Sequence, residues 1–99
     1  MYPQNFLELP NAHQHNATLL EAYTIISNSY NAASTLLQRE STDHLRLRIH
    51  AERLSTQTIP LLEALERDIQ DDAWVTEAAT AVVNLIDRLK ISSSRIASM

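Results

Sequence analysis

Apolar residues recur along this chain at alternating spacings of three and four over three long stretches, the period of one face of an α-helix. The first stripe reads Leu19, Tyr23, Ile26, Tyr30, Ala33 and Leu37, with Ala22, Ile25 and Leu36 widening it. Asn11 can cap and Gln14 follows three residues later, as in a capping box, so the spacing predicts a helix over about 12–38. The second stripe is Leu47, Ala51, Leu54, Thr58, Leu61, Leu65 and Ile69. It predicts a helix over about 42–69, capped by Ser41 or Thr42 with Asp43 near its positive end. Pro60 falls inside. Proline removes a backbone donor and crowds the preceding turn, but the stripe keeps its phase across it, which predicts a kink rather than a restart capped by Thr58. The third stripe, Val75, Ala79, Val82, Ile86 and Leu89, follows the possible caps Asp71 and Asp72 and predicts a helix over about 72–92.

One stretch competes with this reading. "HLRLRIHA", residues 44–51, alternates like a strand. It has no second strand to pair with, and an isolated strand is unstable, so helix is preferred. On a helix the alternation has a consequence: it sets Leu45 and Ile49 almost opposite the main stripe. Three long helices joined by short turns run antiparallel to their neighbours. The predicted fold is therefore all-α, an antiparallel up-down-up three-helix bundle with a kinked second helix. Residues 1–10, carrying Phe6, Leu7 and Leu9 between two prolines, are expected as a short extended strap over one end. Residues 11–94 form the bundle and 95–99 a flexible tail.

Composition narrows the chemistry. The 99 residues include no glycine and no cysteine. Phosphate-cradling loops and nucleophile elbows use positions free to take positive φ, so Walker, Rossmann and G-x-S-x-G motifs are excluded. Disulfides, thiolate nucleophiles and cysteine-based metal sites fall away too. No apolar run is long enough to span a bilayer, and the first ten residues lack the basic and apolar regions of a signal peptide. The expectation is an intracellular protein, cytoplasmic or nuclear, with no membrane partner. The net charge of −4 speaks against a general nucleic-acid binder, which carries a basic excess.

Candidate chemistry is sparse. His13 and His15 stand two apart and His44 and His50 six apart, whereas ligands on one helical face need three or four, so no metal site is predicted. Asp43 and His44 are adjacent and point different ways on a helix, and no nucleophile sits on a strained turn. No catalytic residue and no cofactor is expected. A ligand pocket between helices would have to be lined by Tyr23 or Tyr30.

Charge placement is more informative. Glu63, Glu66, Asp68, Asp71, Asp72 and Glu77 cluster near the second turn, while Arg39, Arg46, Arg48, Arg53, Arg88, Lys90 and Arg95 fall at the other end of an antiparallel bundle. Helix dipoles account for acids at the start of the third helix and bases at its finish. Arg46, His50 and Arg53, at i, i+4 and i+7, share a face on which a phosphate or acidic peptide could dock. Between residues 9 and 38 the only charge is Glu21. A free helical face normally carries Lys, Glu and Arg; Ser27, Asn28, Asn31, Ser34 and Thr35 instead offer hydrogen bonds without the cost of desolvating an ion. With Leu45 and Ile49 they form the candidate interface. The expected function is a non-enzymatic protein–protein interaction module, a dimerisation or adaptor domain, possible as the amino-terminal part of a longer protein. Its partner is a second copy or another protein. The alternative is an anion-binding regulatory module at the basic end.

Overall fold

A computed structural model of the chain describes residues 6–9, 16–39, 43–69 and 72–98. Its elements are α1 (Ala17–Gln38), α2 (His44–Arg53), a π-helical turn (Leu54–Thr58), α3 (Ile59–Asp68) and α4 (Ala73–Ala97). Among the described residues there is no strand, and the alternating 44–51 stretch is helical. α2, the π turn and α3 form one continuous rod between α1 and α4, giving the expected all-α three-helix bundle.

Each start is set by one side chain. Asn16 accepts from the Leu19 N–H at 3.1 Å, so α1 begins at Ala17 rather than 12. Asn11 and Gln14 lie outside the described residues. Asp43 accepts from the Arg46 N–H at 3.1 Å and caps α2; Ser41 and Thr42 also lie outside the described residues. Asp72 caps α4, accepting from the Trp74 and Val75 N–H groups at 2.9 and 3.2 Å.

The rod is neither split nor restarted at Pro60. Leu54, Thr58 and Ile59 all keep right-handed helical dihedrals, and the Ile59 N–H reaches back to the Leu54 carbonyl across the wider turn. The widening has a cause in proline. In an unbroken α-helix its ring would press on the carbonyl four residues back, that of Thr56, and one extra residue per turn relieves the clash. The Ser55 and Thr56 hydroxyls donate to the Ala51 and Glu52 carbonyls at 3.0 and 2.9 Å, satisfying acceptors in the disturbed turn. Thr58 is fully buried here and, among the described residues, its hydroxyl has no hydrogen-bond partner.

α4 runs to Ala97, past the expected end near 92, so Arg95 belongs to a helix and not to a flexible tail. Ser93 is buried and donates to the His44 carbonyl at 3.0 Å, and Ile96 packs on the core, so the last turns of α4 are held against the start of α2. The core itself runs the length of the bundle, from Phe6, Leu19 and Trp74 at one end through Ile26, Leu54 and Val82 to Leu47 and Leu89 at the other.

The strap is present in the described residues 6–9, and the bundle holds it by its main chain. Asn31 Oδ1 accepts from the Phe6 N–H at 2.8 Å, Tyr23 Oη donates to the Leu7 carbonyl at 3.0 Å, and Trp74 Nε1 donates to the Glu8 carbonyl at 2.9 Å. Phe6 is buried among Tyr23, Tyr30 and Trp74, with ring centroids 5.9, 5.2 and 6.1 Å away. Unpaired polar main-chain groups on a buried extended segment are costly, so these three donors and acceptors allow it to lie there.

Candidate interaction surface

The uncharged flank of α1 divides in two. Ser34 is 4% exposed and belongs to the interior. Asn31 is spent on the strap, its amide also donating to Ser27 Oγ at 3.4 Å, and Ser27 and Thr35 are half-buried. Asn28 remains exposed. Part of the charge-poor surface thus meets a segment of the same chain. Tyr23 and Tyr30, whose rings would have lined an internal pocket, pack against Phe6 instead, and Tyr30 also borders an open depression of about 560 Å³ beside Ala81, Leu85 and Arg88.

α2 presents the opposite case. Leu47 and Ala51 are buried, and the far side of the helix carries Leu45 at 58% and Ile49 at 54% exposure. Leu20, Ile25, Val83 and Ile91 are exposed as well. Leu20 and Ile25 stand five residues apart on α1, Val83 and Ile91 eight apart on α4, and single exposed apolar residues are ordinary on a small protein. Leu45 and Ile49 are an i, i+4 pair, adjacent on one face, and so form a contiguous patch. Arg46, Arg48 and Arg53 surround it, all exposed, with Glu52 among them.

Arg46, His50 and Arg53 do come together. Burial lowers the His50 pKa below the ordinary imidazole value, and the Arg53 and then the Arg46 guanidinium lower it further. The imidazole is therefore held neutral near pH 7 beside two fixed cations, a place where an anion would be welcome. A second cationic pairing was not legible in sequence. Arg48 of α2 and Lys90 of α4 border the same two shallow depressions, of about 330 and 360 Å³, with Ser55 on one side and Ser93 on the other. Their meeting depends on the rotational phase of two helices distant in sequence, which periodicity within one helix does not fix.

Among the described residues, no group of three His, Cys, Asp or Glu could hold a metal ion; His13 and His15 lie outside them. No described helix is long and apolar enough to cross a membrane. The fold defines the class: an all-α three-helix bundle with a strap across one end. Beyond that class, no family model matches the chain, and neither a curated protein nor a solved structure does.

Proposed function

We propose that the protein is a non-enzymatic interaction module, a dimerisation or adaptor domain whose docking surface is the outward face of α2. The observation that carries this reading is the solvent exposure of Leu45 and Ile49, 58% and 54%, side by side on a helix whose other face is already buried. Three arginines around an apolar pair match the composition of interface centres, which favour apolar groups and Arg over Lys and Asp. The test is sedimentation of the whole chain beside the double variant Leu45→Glu, Ile49→Glu. Self-association that the double variant loses supports the reading. A wild-type chain that stays monomeric, and that captures no partner which the variant fails to capture, removes it.

A second reading has its own observation. Arg46, His50 and Arg53 lie on one face of α2, and burial first, then the Arg53 and Arg46 cations, lower the His50 pKa. An anion-binding module would use them to engage a phosphate group, on nucleic acid or on a phosphorylated peptide. Binding of inorganic phosphate or a phosphopeptide there raises the His50 pKa, measured by NMR titration; an unchanged pKa at low ionic strength excludes it.

A further inference from the structure

Tyr30 is 8% exposed and its ring packs on Phe6, yet among the described residues nothing takes up its hydroxyl. A buried phenol ordinarily finds a hydrogen-bond partner, because a stranded O–H forfeits the water it bound in the unfolded chain. Tyr23 shows the ordinary case, donating to the Leu7 carbonyl. Thr58 carries the sole fully occluded side-chain polar atom without a partner among the described residues, so the Tyr30 hydroxyl, unpartnered but not occluded, still meets open space. That space is the depression of about 560 Å³ between α1 and α4.

The α4 side of the depression is a single helical face. Ala81, Asn84, Leu85 and Arg88 stand at i, i+3, i+4 and i+7, across from Tyr30. Leu85 is buried and Ala81 half-buried, which gives the depression an apolar floor, while Asn84 and Arg88 are exposed at its rim. Among the described residues neither rim side chain has a hydrogen-bond or ion-pair partner. An apolar lining with a few converging polar groups is the make-up of sites for small organic ligands. The polar groups here are donors: a guanidinium fork, a phenol O–H and an amide NH₂. They call for an acceptor, and the charge on Arg88 favours an anionic one. Asp87, also in the lining, limits the charge of that anion. A phosphate dianion would be repelled beside it, whereas a single negative charge is matched by Arg88. Asp87 lies about 100° further round the helix from Leu85 than Arg88 does, so it stands at the outer edge and leaves the floor clear.

We propose that this depression binds a small organic monocarboxylate with an apolar body, its carboxylate held by Arg88 and the Tyr30 hydroxyl and its body resting on Ala81 and Leu85. The site lies on α1 and α4 and does not depend on the outward face of α2. The strap contributes to it: Phe6, with its ring centroid 5.2 Å from that of Tyr30, holds the phenol in place before a ligand arrives, which lowers the ordering cost of binding. For a ligand of about a dozen non-hydrogen atoms in so open a site, the expected Kd is on the order of 1 mM.

The test is an NMR titration of the full chain near pH 7, following backbone amides, with N-acetyl-leucine and with phenylacetate. Uncharged N-acetyl-leucine amide and inorganic phosphate are the comparison probes. Both carboxylates should shift the resonances of Tyr30, Ala81, Leu85 and Arg88 to saturation, and the two comparison probes should bind at least about fivefold more weakly. Tyr30→Phe keeps the ring on Phe6 and removes only the hydroxyl, and Arg88→Gln changes an exposed side chain, so neither puts folding at risk; circular dichroism checks it. Each should weaken carboxylate binding at least about threefold. No saturable shift with either carboxylate up to about 50 mM overturns the site. Phosphate or the uncharged amide binding as tightly as the carboxylates overturns the ligand class, and folded variants that bind as wild type does overturn the roles of Tyr30 and Arg88.

Discussion

On α1, the side chains that lack charge turn toward a segment of their own chain: Asn31 binds the Phe6 N–H, Tyr23 the Leu7 carbonyl, and Ser34 is inside the bundle. On α2, Leu45 and Ile49 turn toward solvent with arginines around them. Both surfaces depart from the charged exterior of an ordinary helix, for different reasons. Neutral amides and hydroxyls suit contact with a main chain, whose N–H and C=O groups need partners and carry no net charge. Exposed branched apolar groups satisfy no such need within the fold. A shortage of charge therefore announces a contact without saying whether the partner is internal or external; an apolar pair left outside a finished core points outward.

That difference is open to direct attack by substitution. The largest effect is expected on the strap side. Trp74→Ala removes a buried ring and the donor to the Glu8 carbonyl, and should cost about 3–5 kcal/mol in chemical denaturation. That is a large share of the stability of a domain this size. A loss below about 1 kcal/mol would mean the strap is not held as described.

Next comes a pair of asparagines one turn apart. Asn31→Ala strands the Phe6 N–H and should cost about 1–3 kcal/mol, whereas Asn28→Ala, on the exposed side, should stay within about 0.5 kcal/mol. Equal effects would erase the distinction between the two halves of the α1 flank. On α2 the expectation reverses: Leu45→Glu with Ile49→Glu should change monomer stability by no more than about 0.5 kcal/mol per site while altering association. A loss of several kcal/mol would show that the pair belongs to the core.

The smallest effect is protonic. The His50 pKa is lower folded than unfolded, through burial and then Arg53 and Arg46. The unfolded chain therefore takes up the proton first as pH falls. The contribution of His50 is fully present above the unfolded value of about 6.5, declines as pH falls below it, and levels off under the folded pKa. His50→Gln should flatten this slope in pH-dependent thermal melts, and Arg53→Gln should move the His50 resonance midpoint toward its ordinary value.

Much of the bundle could be read from periodicity, because stripes such as Leu47, Ala51, Leu54 and Leu65 are dictated by the 3.6-residue period and buried as it requires. The end of α4 could not. Ile96 falls in the stretch read as a flexible tail, and Ser93 just past the expected helix end, until the start of α2 is brought beside them. The π turn was equally hidden: Pro60 signals a disturbance, but whether the chain bends, breaks or widens depends on what the neighbouring helices allow. For the candidate surface, the outward position of Leu45 and Ile49 followed from alternation within a helix. The commitment of Asn31 to the Phe6 N–H did not, since it depends on a strap whose path no local pattern sets.

The claim that the outward face of α2 is a contact surface is tested most directly by side-chain methyl NMR of Leu45 and Ile49 over a dilution series from about 1 mM to 10 μM, spanning the dissociation range expected of a small interface. Their resonances should shift progressively with concentration while those of Leu47, two residues from each and buried, stay fixed. Methyl signals at 45 and 49 that are constant across the series, in a chain shown to self-associate by light scattering, would place the contact elsewhere and contradict the account.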